Sequence, residues 1–226
     1  MKNGILKKIT AVIILLSVCT SLTLTLSSCN RSYDEEEVLA EAHKLLKNAE
    51  ILNEVYYGDG IATRDGGVVN GYYLEADSIH LSRLGFESID GLRSLTRNTF
   101  TKGYCEEIFS TKLDSISDEY GILNMARYYQ HYNIDTLEPV CIMVYTKYNV
   151  SFKDSLVYDY SSLRVSGVKG QTVTVTVDAT VTNKDGMEQN TEIDLYLIEE
   201  DNGWRIDNPC YANYNEYKDK YDELNK

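Results

Sequence analysis

Gln171-Thr172-Val173-Thr174-Val175-Thr176-Val177-Asp178-Ala179-Thr180-Val181-Thr182 alternates polar and apolar side chains from Thr172 to its end. Successive side chains of a strand point to opposite faces, so Val173, Val175, Val177, Ala179 and Val181 share one face. Thr172, Thr174, Thr176, Asp178 and Thr180 share the other, the pattern of a half-buried antiparallel strand. Downstream, Asn183-Lys184-Asp185-Gly186 turns the chain into a partner strand over Glu192–Glu199, and Asp201-Asn202-Gly203 turns it again into Trp204–Asp207. Upstream, Leu163–Val168 reaches the central strand through Lys169-Gly170. These turns predict a meander of four strands.

The meander needs an apolar partner, and the start of the chain supplies one. Val38, Ala42, Leu45, Ala49, Leu52 and Tyr56 recur at spacings of four and three, with Leu39 and Leu46 beside them. That is one stripe on a long helix. Ser32 stands three residues before Glu35, a capping-box spacing, and Asp34 to Glu37 place negative charge where the helix dipole favours it. Gly58-Asp59-Gly60 stops the helix. Asp65-Gly66-Gly67 reads as a turn before a strand over Val68–Glu75. A second helix is expected from Ser88 or Asp90 to about Phe100, with Ile89, Leu92, Leu95 and Thr99 inward, and a short third one over Thr101–Phe109. Met125–Tyr132 and Cys141–Tyr148 read as further strands. Helices first and an antiparallel sheet last define an α+β fold, with N-terminal helices packed in a curved sheet. One domain is expected over residues 34–210, followed by a polar tail over 211–226.

The closing Gly203-Trp204-Arg205-Ile206-Asp207 with Pro209 resembles the last hairpin of nuclear-transport-factor-2-like, cystatin-type cone domains found in many bacterial lipoproteins. Phe86-Glu87-Ser88-Ile89-Asp90-Gly91-Leu92, followed by Tyr104, is similar to the same proteins. The resemblance implies a conical pocket between sheet and helices, and binding more often than catalysis. Residues 57–87 and 110–160 are longer than such a domain needs, so an insertion or extra strands must be placed there.

The first residues carry an address. Lys2, Lys7 and Lys8 precede the uncharged apolar run Ile9–Leu26, the layout of a secretory signal. Leu26-Ser27-Ser28-Cys29 resembles the lipobox of bacterial lipoproteins, which implies cleavage between Ser28 and Cys29, lipid on the Cys29 sulfur, and a short tether over residues 29–33. Two acyl chains at about 0.8 kcal/mol per buried CH2 would hold the mature domain on the outer side of a membrane in the bacterial cell envelope. Removing residues 1–28 leaves 198 residues and takes the formal charge from −13 to −16. That balance excludes nucleic acid as a partner and suits a cationic one. The hydrophobic share of 43% excludes disorder.

Chemistry is harder to read. In Tyr128-Tyr129-Gln130-His131-Tyr132, Tyr129 and His131 share one strand face, with Asp135 nearby. An imidazole among phenols reads first as a wet tyrosine-rich strand, then as a ligand platform, and last as an acid–base pair. Trp204 is expected to close the cone, making Tyr129, His131 and Trp204 the candidate pocket. His43 and His80 read as structural or exposed. Nineteen Tyr against four Phe suit contacts that stay wet at one edge. Cys105, Cys141 and Cys210 are scattered, allowing one disulfide at most, and neither they nor the Asp59–Asp65 and Asn183–Glu192 loops have metal-site spacing. No GxSxG, HExxH or SxxK occurs.

The sequence therefore predicts a lipid-anchored binding or interaction protein without catalytic activity or cofactor, its partner a cell-envelope protein or small ligand. The acidic α+β layout also resembles inhibitors of cell-wall hydrolases, specifically DL-endopeptidases, and the conical resemblance implies an isomerase or dehydratase using Tyr129 and His131 as the remaining alternative. Cys29→Ala should block processing, so that intact-mass spectrometry finds residues 1–28 retained and no acyl chains. Normal processing of that variant would rule out the lipobox.

Overall fold

The computed structural model describes residues 33–69, 72–114, 116–117, 123–124, 126–146, 155–182, 186–201 and 203–210. The signal segment, Cys29 and its tether up to residue 32, and the tail 211–226 lie outside these. In chain order the helices are α1 (Glu35–Tyr56), α2 (Ser78–Leu84), α3 (Ile89–Thr99) and α4 (Lys102–Lys112). The strands are β1 (Thr63–Val69), β2 (Tyr73–Ala76), β3 (Ile116–Ser117), β4 (Leu123–Asn124), β5 (Tyr128–Tyr132), β6 (Pro139–Tyr145), β7 (Ser155–Lys169), β8 (Thr172–Thr182), β9 (Glu188–Glu200) and β10 (Gly203–Ile206). The fold is α+β with antiparallel sheets.

Helix α1 starts in the acidic run, as expected: Asp34 caps it, its carboxylate accepting from the backbone N–H groups of Glu36 and Glu37 at 3.0 and 3.4 Å, while Ser32 of the capping-box spacing lies outside the described residues. A cap of this kind is worth about 1 kcal/mol, whereas each large aliphatic side chain taken from water contributes about 1.5–3 kcal/mol. Val38, Ala42, Leu45, Leu46, Ala49, Leu52, Val55 and Tyr56 are all buried, so packing, not capping, holds this helix. It stops at Gly58-Asp59-Gly60, where the Gly60 N–H returns to the Glu54 carbonyl at 3.1 Å.

The meander forms in the order β10-β9-β8-β7. Val173, Val175, Val177 and Ala179 are buried with Ile193, Leu195 and Leu197 of the neighbouring strand, as the alternation predicts. Thr176 on the opposite face is also buried, its Oγ1 lying 2.7 Å from Ser166 Oγ and 2.6 Å from Asp194 Oδ1. The outer strand β7 extends upstream of Leu163 with register shifts between Asp159 and Arg164 and between Val165 and Gly167. Such shifts bend and twist a strand. Helix α1 packs against β7 and β10.

Residues 57–87 and 110–160 supply a second sheet in the order β1-β2-β6-β5 and the short pair β3–β4. Here the sequence reading needs correction. Asp65-Gly66-Gly67 lies inside β1, with a register shift between Thr63 and Val68, and the expected strand Val68–Glu75 is two strands. Glycine is compatible with an edge strand carrying an irregularity, and β1 is an edge. Helix α2 was not foreseen: Asp77 accepts from the His80 N–H at 2.8 Å at its start, and left-handed Gly85 ends it. Helices α3 and α4 are capped by Ser88 and Thr101 near the expected positions, but α4 runs on to Lys112, and α3 buries Thr96 more deeply than Leu95. Thr96 is tolerated inside because its Oγ1 donates to the Leu92 carbonyl at 2.7 Å and lies 2.8 Å from Tyr56 Oη. Among the described residues, no helix is long and apolar enough to cross a membrane.

Gly60 adopts φ +83°, and a Cβ there would come within 2.4 Å of Arg127 Nη2 and Tyr128 Oη. Gly85 has a similar φ of +84° with nothing within 4 Å. Both alanine variants should lose about 1–3 kcal/mol to backbone strain, and Gly60→Ala should lower the stability measured by urea unfolding further, because its Cβ must also displace Arg127 and Tyr128. Equal losses in the two variants would refute this account of the helix stop.

Candidate functional site

The three residues singled out from the sequence do not share one sheet. Tyr129 and His131 sit on the edge strand β5, paired with Met143 and Cys141 of β6, while Trp204 sits on β10 of the meander. Tyr129 is half-buried, its ring 4.7 Å from that of Tyr73 in an edge-to-face contact. Tyr73 in turn lies 5.3 Å from Tyr145 and donates its hydroxyl to the Ala126 carbonyl at 3.0 Å. Burial raises the Tyr73 and Tyr129 hydroxyls above the ordinary phenol value, so these groups stay protonated and serve as hydrogen-bonding and stacking surfaces. His131 is exposed. Trp204 is half-buried beside a cavity of about 180 Å³ between the start of α1 and the β7–β8 turn, whose lining includes Tyr33, Glu37, Gln171 and Glu199 but neither Tyr129 nor His131.

The β5–β6 hairpin builds a different kind of site. Asn133 organises its tip: the Asn133 side-chain oxygen accepts from the N–H groups of Asp135 and Thr136 at 2.8 and 3.1 Å. The Asn133 N–H donates to the Glu138 carbonyl at 2.9 Å, and the Leu137 N–H donates to the Asn133 carbonyl at 2.8 Å. The Glu138 N–H closes the turn onto Thr136 Oγ1 at 3.3 Å. Leu137 is held at φ +57°, a left-handed conformation that a branched aliphatic residue adopts only when its surroundings impose it. The tip thus presents Ile134 at 89% and Leu137 at 75% exposure, with Asp135 and Glu138 between and beside them and Tyr132 and Val140 exposed on the strands below. Apolar side chains held outward by a self-bonded loop favour association, since little ordering remains to be done on contact. Sequence reading missed this tip because Ile134 and Leu137 show no periodicity; the signal available was Asn133 followed by Asp135, an Asx-turn pattern.

Elsewhere, titratable groups are held neutral by burial. Desolvation pushes the Cys105 thiol up to about 12, and the Cys210 thiol likewise to about 12. It also raises Tyr56 and Tyr158 well above the phenol range. Tyr158 donates to the Cys210 carbonyl and Tyr160 to Glu50, and the His43 ring meets Tyr160 edge-on at 4.8 Å. Cys105, Cys141 and Cys210 are free thiols, and among the described residues no group of three or more His, Cys, Asp or Glu is placed to hold a metal ion. No family model, curated protein or solved structure matches the chain.

Folding favours the neutral form of Cys105 and Cys210, because their native values stand above the ordinary 9.0. Their contribution to stability is therefore complete below about pH 9 and is lost as pH rises towards 12. Iodoacetamide at pH 8 should modify half-buried Cys141 first and reach Cys105 and Cys210 only after urea unfolding, as peptide mapping would show. Early labelling of Cys105 or Cys210 in folded protein would contradict the burial described.

Proposed function

We propose that this protein is a lipid-anchored, outward-facing binding protein of the bacterial cell envelope that acts by docking on another envelope protein and performs no catalysis. The reading combines the signal and lipobox over residues 1–29 with a conical domain in which the meander wraps α1; the strand order β10-β9-β8-β7 and the packing of α1 on β7 and β10 support that shape. The observation that carries it is the hairpin tip, where Ile134 and Leu137 project from a loop braced by Asn133. Apolar anchors flanked by Asp135 and Glu138 fit an apolar cleft rimmed with basic side chains. The formal charge of −13 over the whole chain adds steering towards such a partner.

A second reading is favoured by the same preorganised tip: inhibition of a basic cell-wall hydrolase, with the loop occupying its substrate cleft. Both readings place Cys29 at the membrane and the second sheet facing the partner. Tyr129 and the exposed His131 lie on the strand that leads into the tip, and here they form part of the contact surface.

The test uses full-length protein in detergent, cross-linked to envelope extract in parallel for the wild type and for Ile134→Asp/Leu137→Asp. Wild type should recover one partner with an excess of basic residues, and the charged variant should weaken that complex about a hundredfold or more, since two buried aliphatic anchors are each worth about 1.5–3 kcal/mol. Loss of hydrolase activity in the recovered complex would select the inhibitor reading. A partner held equally well by the double variant would remove the tip from the interface and overturn the proposal.

A further inference from the structure

Between α3, α4 and the β9–β10 turn lies a second cavity, of about 380 Å³, that the docking surface does not involve. Its floor is apolar and uncharged: Phe100, Cys105 and Phe109 are buried, and the high thiol value of Cys105 keeps that sulfur neutral at ordinary pH. Its rim carries Arg97, Lys102 and Arg205 together with Glu106, Glu200 and Asp201. Among the described residues, none of these three cations is ion-paired with any of these three carboxylates, whereas Arg93 pairs with Asp114 and Arg164 with both Asp178 and Glu192. Charges of both signs thus surround one hollow without neutralising one another. Both signs reach the floor, since Arg97 and Arg205 act on the Cys105 thiol in one direction and Glu200 and Glu106 in the other.

The walls are held in place. Arg205 Nε donates to the Arg97 carbonyl at 2.9 Å, the Thr101 N–H to the Ile206 carbonyl at 3.0 Å, and the Lys102 N–H to Glu200 Oε2 at 2.9 Å. The Arg97 guanidinium stands 5.3 Å from the centre of the Phe109 ring, beside the apolar floor, while Glu200 and Asp201 line the cavity from the β9–β10 turn. A purely anionic ligand would meet the three carboxylates, and a purely cationic one the three cations; each mismatch is costly. A molecule bearing one charge of each sign on an apolar body meets neither penalty.

We propose that this cavity binds a small apolar zwitterion, an amino acid or dipeptide with both termini free, its carboxylate facing Arg97, its ammonium facing Glu200 and Asp201, and its side chain on Phe100 and Phe109. The size agrees with ligand pockets, which begin at about 300 Å³. The site is independent of the hairpin tip and stands whether or not the docking role does.

Isothermal titration of full-length protein in detergent tests it, with L-leucyl-L-phenylalanine, L-phenylalanine and the uncharged N-acetyl-L-phenylalaninamide as probes. Saturable binding of a zwitterionic probe below about 1 mM is expected, with the capped compound at least about tenfold weaker. Arg97→Gln and, separately, Asp201→Asn should each weaken the zwitterion about tenfold; both side chains are exposed, and thermal melts confirm folding. Glu37→Gln, in the Trp204 cavity, and Ile134→Asp should leave binding unchanged. A dipeptide-only response assigns a peptide site, and a response to both assigns an amino-acid site. No saturable heat with either zwitterion, equal binding of the capped compound, or unchanged affinity in both rim variants would overturn the proposal.

Discussion

The end of α1 is where both sheets and α3 are tied together: the Asn53 and Glu54 carbonyls are closed by the N–H groups of Tyr57, Gly58 and Gly60, and the polar groups around them reach out to the other elements. Tyr128 of the second sheet donates its hydroxyl to the Val55 carbonyl at 2.6 Å and accepts from the Ile61 N–H at 3.3 Å. Arg127, itself buried, donates to the Gly58 carbonyl at 2.8 Å. From the other side, the Asn53 amide reaches the Cys210 carbonyl at 3.1 Å, and Tyr158 of the meander donates to that same oxygen. Tyr56 meets Thr96 of α3. Each such bond is worth only about 0.5–1.5 kcal/mol net, but a buried carbonyl or amide left without a partner costs about 1–3 kcal/mol. The apolar stripe of α1 supplies most of the stabilisation, and these polar contacts select one orientation of the two sheets and α3 around it.

This arrangement separates scaffold from surface. The meander buries one face against α1, and its threonine-rich opposite face is half-buried along β8, with Thr176 fully buried and Asp178 exposed. The second sheet is tied to the helix end through Arg127 and Tyr128 at the start of β5, and the same strand runs outward to the hairpin tip. A loop that projects from a firmly anchored strand is a good place for a contact surface, because its position is inherited from the core while its side chains remain free to vary. The tyrosine-rich composition falls into the same division. Tyr56, Tyr128 and Tyr158 are interior residues whose hydroxyls have defined acceptors or partners, whereas Tyr72 and Tyr132 lie exposed on the second sheet.

Local pattern and long-range placement part company in this chain at identifiable residues. Val173 to Ala179, the α1 stripe, and helix starts at Ser88 or Asp90 and at Thr101 were legible in the sequence, since a period of two or of 3.6 is a property of neighbouring residues, whereas Ser88 and Thr101 as the capping residues are given by the structure. So was the order of the meander, because short turns at Gly170, Gly186 and Gly203 leave little alternative to antiparallel neighbours. Asp65-Gly66-Gly67 misled because glycine marks turns and irregular edge strands alike, and the choice depends on pairing with β2. Thr96 could not be assigned to the interior without knowing that Tyr56, forty positions earlier, would stand beside it. The grouping of Tyr129 and His131 on one sheet and Trp204 on the other, the outward set of Ile134 and Leu137, and the convergence of Arg97 with Glu200 around one hollow all depend on contacts between distant segments, and hydrophobic periodicity encodes which face of an element is buried but not which other element will cover it.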